Sequence, residues 1–156
     1  MEETWQSVAV MSPNEVLRRQ GLCGKEQQEL TGFVLGFISD LPPEAAGLAL
    51  YVHFVVIEAF RRTKAQFRKI KPGKIERTWK DNFAFVNGLK RAGHSRRPFH
   101  LKGDSSSEPA VLQYVIDALT EQDDEDPVEL AELDFWHILQ VLKTVADCTH
   151  DARLTR

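Results

Sequence analysis

The stretch PPEAAGLALYVHFVVIEAFRRTKAQFRK, residues 42–69, decides the fold. Pro42 breaks whatever precedes it, and Pro43 brings the fixed φ that suits a first helical position. From Ala45 to Phe60 only His53 and Glu58 interrupt the apolar side chains. A helix that is apolar nearly all round belongs inside a protein or inside a membrane. This run falls short of the roughly 20 apolar residues that span a bilayer, and it carries a carboxylate. The reading is a central buried helix over 43–69, with no membrane partner. Arg61, Arg62, Lys64, Arg68 and Lys69 would then sit at its C-terminal end, where positive charge complements the helix dipole.

Helical signals continue on both sides. Ser12-Pro13-Asn14-Glu15 has the spacing of a capping box with proline at the first helical position, and Gly21 offers a stop. A second helix is predicted over 25–40, with Leu30, Phe33, Val34, Phe37, Ile38 and Leu41 along one side. Its Gly32 and Gly36 lower helix propensity but permit close approach of a neighbour.

After Pro72-Gly73 a fourth helix is predicted to end near Arg91, with Gly93 as terminator. Ile75, Trp79, Phe83, Val86 and Leu89 share one of its faces, while Arg77, Lys80 and Arg91 share the other. Residues 92–108 show no periodicity and read as a long loop. A fifth helix is predicted over 109–121, then an acidic linker at 121–127. A last helix, capped by Asp126 with Pro127 following, should run to about Thr149. No stretch alternates over a strand's length. The expectation is an all-α, single-domain bundle of about six helices spanning 1–156, packed around the helix at 43–69.

The chain has 156 residues, 42% hydrophobic and 28% charged, a globular composition. Its two cysteines, Cys23 and Cys148, lie far apart in sequence with no paired-cysteine motif, against a disulfide framework or zinc ribbon. Met1-Glu2-Glu3 lacks the basic start and apolar stretch of a signal peptide, so the default expectation is a cytoplasmic protein.

The formal net charge of −3 conceals a strong segregation. Residues 1–60 carry −5, residues 61–102 carry +12, and residues 103–156 carry −10. Fourteen basic side chains within 61–102 are the strongest feature of the sequence. Such a surface attracts acidic proteins, a second copy of the chain, or the phosphates of nucleic acid. Trp79 and Phe83 lie on the apolar stripe and count as core before they count as stacking platforms. Phe85 and Phe99 are the aromatics left for a partner. No helix-turn-helix, RNA-recognition or zinc-finger pattern accompanies them.

Little points to catalysis. None of the phosphate-cradle, dinucleotide, zincin or serine-hydrolase signatures is present, so no cofactor and no metal is expected. Asp134 and His137, three apart on the last helix, fall on its apolar face and can meet there. A carboxylate beside an imidazole suits a general base or a metal ligand, although a self-satisfied core pair needs no function to explain it. His53 and Glu58 are the nearest candidates to complete such a site, but they point about 140° apart around their own helix. Glu58 more plainly bridges to Arg61 or Arg62.

The sequence therefore predicts a non-enzymatic interaction or regulatory domain. It would bind a protein partner or itself through Arg62, Arg68, Lys69, Arg77, Lys80, Arg96, Arg97 and Phe99. Nucleic-acid or polyanion binding by the same face is the second expectation. A small-molecule or metal-dependent site at Asp134, His137 and His53 is the third.

Overall fold

The computed structural model describes residues 1–101, 106–121, 128 and 130–154. Among them are seven helices: α1 (Glu2–Ala9), α2 (Pro13–Glu26), α3 (Gln28–Ile38), α4 (Pro43–Arg62), α5 (Pro72–Arg91), α6 (Pro109–Thr120) and α7 (Glu132–Asp151). The all-α bundle is as expected, with one helix more. The addition is α1, which buries only Thr4 and Val8 and lies along α4.

Proline marks the first turn of α2, α4, α5 and α6, where its missing N–H costs nothing. Ser12 caps α2 by accepting from the Glu15 backbone N–H at 3.2 Å. The reciprocal half of the capping box does not close, because the Glu15 carboxylate binds Arg18 and Arg19, each at 2.7 Å. Nor does Gly21 stop this helix. A glycine ends a helix by taking a positive φ, and here Gly21 and Gly24 stay helical, so α2 runs on to Glu26.

Gly93 does take that conformation, at φ 90°. The His94 N–H bonds the Leu89 carbonyl and the Gly93 N–H bonds that of Lys90, both at 3.1 Å, which is a Schellman closure of α5.

The helix expected over 43–69 ends at Arg62, seven residues early. The Thr63 hydroxyl donates to the Phe60 carbonyl at 2.7 Å, and Lys64 turns the chain with a left-handed φ of 56°. The following segment finds its hydrogen bonds elsewhere. Gln27 clamps it through both ends of its amide, donating to the Arg68 carbonyl at 2.9 Å and accepting from the Ile70 N–H at 3.0 Å. The Arg68 N–H reaches the Ala152 carbonyl at 2.9 Å, and the Leu154 N–H reaches that of Gln66 at 2.8 Å. Buried Ile70 anchors the connection from below.

α4 lies inside, as its composition requires. By length and apolarity it is the one described helix able to cross a membrane, yet half of that stretch is buried against the other helices. α7 shares the centre with it. Thirteen of its 20 residues are buried, against nine of 20 in α4, so α7 is the more enclosed of the two. Val52 and Val56 of α4, Val115 and Ile116 of α6, and Phe135, Leu139 and Val145 of α7 are fully buried in the core.

The final helix begins at Glu132 rather than near 127. The expected cap Asp126, Pro127 and most of the acidic linker lie outside the described residues. The described part of the 92–108 loop is stitched down. Gln113 of α6 donates to the Phe99 carbonyl at 3.0 Å and accepts from the Leu101 N–H at 2.9 Å.

Candidate functional site

The early end of α4 decides where the basic side chains go. Arg68 and Lys69 do not continue a helical face. They stand on the clamped connection between α4 and α5, beside Lys71, which is the N-cap of α5. Lys74 and Arg77 follow one and two turns into α5. All five line one shallow cavity of about 700 Å³, closed on one side by Asp151 and Ala152 at the end of α7. Lys74 bonds Asp151 at 2.6 Å. Among the described residues no carboxylate pairs with Arg68, Lys69, Lys71 or Arg77.

The other side chains expected on this surface separate from it. Arg62 lines a different cavity, with Arg19, Glu26, Glu58 and Arg61. Lys80 is exposed and bonds Glu76, one turn earlier, at 3.1 Å. Arg97 is exposed on the loop.

Arg96 and Phe99 also make contacts within the fold. The Arg96 guanidinium donates to the Leu130 carbonyl, and its Nε lies 3.8 Å from Glu132, tying the loop to the start of α7. Phe99 stacks on His94 with ring centroids 4.4 Å apart and meets buried Phe135 edge-on. Phe85 is also occupied, since the Lys143 ammonium lies 4.6 Å from its ring centre.

Asp134 and His137 do not form the pair their spacing permits. No hydrogen bond joins them. His137 instead presents its ring edge-on to Phe37, with centroids 6.0 Å apart. Because α7 starts at Glu132, Asp134 belongs to its first turn, where a carboxylate complements the helix dipole. His53 is elsewhere, buried between α2, α3 and α4. Among the described residues no three His, Cys, Asp or Glu side chains come together as a metal site would need.

Of the two partners expected for Glu58, Arg61 is present, but the nearer cation is one the spacing did not indicate. This fully buried carboxylate meets Arg19 of α2 at 2.6 Å, with Arg61 more distant at 4.0 Å. Glu15 joins the same network, and the Arg18 and Arg19 guanidiniums hold its carboxyl at a pKa of about 2.

Periodicity gave no warning of a second buried charge, Lys143. Its ammonium bonds Asn82 Oδ1 at 2.8 Å and Asp147 at 2.7 Å, and Asn82 donates onward to Thr144 at 3.2 Å. Asp147 also accepts from Ser107 at 3.1 Å. This satisfied network crosslinks α5, α7 and the loop before α6. The sequence signal was the 143/147 spacing of opposite charges within an apolar helix.

No protein-family model matches the chain, and comparison with curated proteins and with solved structures returns no similar protein.

Proposed function

We propose that this chain is a non-enzymatic helical interaction domain that docks an acidic protein surface on the face formed by Arg68, Lys69, Lys71, Lys74 and Arg77. The observation that carries the reading is the convergence of these five cations on one concavity with Asp151 as their single carboxylate partner among the described residues. Like charges gathered this way repel one another, and an acidic partner relieves that repulsion. The connection bearing three of them is held by Gln27 and Ala152. A charged surface on a fixed scaffold loses less entropy on binding than a mobile one. Among the described residues no aromatic side chain lines this concavity, which favours a protein over single-stranded nucleic acid, where bases stack on exposed rings.

The test is a fluorescence titration with a labelled glutamate-rich peptide and, separately, a DNA duplex, both near ~50 mM salt where electrostatic affinity is strong. The peptide should bind, weaken as salt rises, and lose about tenfold or more in affinity in the Arg68→Glu/Arg77→Glu double variant. Tighter binding of the duplex would transfer the face to polyanions. Equal peptide affinity in the double variant and the parent would refute the assignment.

A further inference from the structure

Two adjoining cavities of about 530 and 400 Å³, neither lined by Asp134 or His137, lie against α2, α3 and α4, the larger also against the connection after α4 and the end of α7. They share Cys23, Thr31, His53 and Ile57 as walls. Each is of the size that holds a small organic molecule. The smaller is lined mainly by apolar atoms, from Val34, Leu50 and Phe54 among others. Leu17 and Leu35 stand at it 67% and 50% exposed, an arrangement that leaves apolar surface in water around an apolar hollow.

Among the shared wall residues the Thr31 hydroxyl already donates to the Cys23 carbonyl at 3.5 Å, which leaves the His53 imidazole. His53 is 8% exposed, and its Nδ1 is buried with no hydrogen-bond partner among the described residues. Buried polar groups in folded proteins are nearly always partnered, so an unsatisfied imidazole beside an open cavity points to a missing partner. We infer that the paired cavities bind a small uncharged amphiphile, an aliphatic or aromatic body carrying one hydroxyl, with that hydroxyl on the His53 ring.

The choice of head group follows from the ring's state. Burial lowers the His53 pKa to about 4, so near neutral pH the ring has one donor and one acceptor nitrogen. A hydroxyl donates and accepts through one oxygen, and so satisfies whichever nitrogen it meets. A carboxylate needs a cation. Arg61, on the wall of the larger cavity, is already bonded to Glu26 at 3.1 Å. Lys69 is the other cation there, and it is exposed to water. The body of the ligand would lie against Val34, Leu50 and Phe54.

Calorimetric titration of the whole chain with 1-octanol, and in parallel with octanoate, tests this. Two kinds of variant accompany it. His53→Phe removes the polar partner. Gly21→Leu and Gly24→Leu fill the smaller cavity, and a Cβ at either glycine meets no atom within 4 Å, so the fold should hold. Saturable one-to-one binding of 1-octanol is expected, weakened about tenfold or more by His53→Phe and by each glycine variant, with melting temperatures of the glycine variants no lower than the parent's. Octanoate should bind about tenfold more weakly than octanol. Absence of saturable octanol binding, an unchanged affinity in His53→Phe or in both glycine variants, or octanoate binding as tightly as octanol, would each overturn the inference.

Discussion

Burial takes His53 down to a pKa of about 4, whereas in the unfolded chain an imidazole titrates near 6.5. Between those values the unfolded chain holds the extra proton, so stability rises with pH. It is fully present above pH 6.5 and is lost as pH falls through that window, by up to roughly 3 kcal/mol near pH 4. Glu26, Arg61 and Lys69 are the charged residues that line the larger cavity beside it. Urea midpoints at pH 7 and pH 5 should therefore differ clearly in the parent and much less in His53→Phe. Glu15 acts lower. Its carboxyl, held at about 2 by Arg18 and Arg19, contributes stability above the ordinary carboxylate pKa that is lost as pH falls towards 2.

Lys143 makes a different demand. Replacing it by methionine leaves Asp147 and Asn82 facing each other without their shared cation, at a cost of about 3 kcal/mol or more. Replacing Asp147 by leucine as well should recover a substantial part of that loss. If the two single changes simply add in denaturant unfolding, the pair is not coupled as its geometry indicates.

Helix ends test a different kind of strain. Gly93 sits at φ 90°, and Gly93→Ala should cost about 1 kcal/mol because a Cβ is disfavoured there. Lys64 at φ 56° is the converse, and Lys64→Gly should be neutral to stabilising by up to about 1 kcal/mol. The denaturation midpoint should fall in Gly93→Ala and should not fall in Lys64→Gly.

These two turns also show what a sequence can carry. Gly93 and the helix-opening prolines Pro13, Pro43, Pro72 and Pro109 were legible, because each imposes its constraint on its own backbone. The end of α4 was not. No glycine or proline lies between Arg62 and Lys71, and the helix yields instead to Gln27 and Ala152, partners dozens of residues away. α1 escaped notice for a related reason. It has no side-chain cap and only two buried residues, so contact with α4 is what stabilises it.

At the scale of the molecule, the run of positive charge was readable while its shape was not. The five converging cations include Lys71 and Lys74, which look no different in sequence from Lys80 or Arg97. Where they meet depends on the early end of α4. Arg96 and Phe99 looked free because their loop has no periodicity, and their partners Leu130, Glu132 and Phe135 lie more than thirty positions on.

A whole-molecule consequence of the clustering is testable without any ligand. Arg68 and Arg77 make no ion pair among the described residues, so reversing both removes repulsion and breaks no bond of their side chains. The double variant should unfold within about 0.5 kcal/mol of the parent or slightly later. A large loss of stability would mean that these side chains serve the fold.

The tie between residues 66–68 and 152–154 has a further effect, on degradation. Trypsin cuts after lysine and arginine only where the chain can be drawn out into its cleft, and the connection after α4 is rich in such sites. With Arg68 bonded to Ala152 and Leu154 to Gln66, the backbone at those sites is held in place by residues 152–154. Leu154→Pro, which removes the N–H that reaches Gln66, should open the connection to trypsin while the helical core stays folded. Limited proteolysis should then cut that variant faster than the parent.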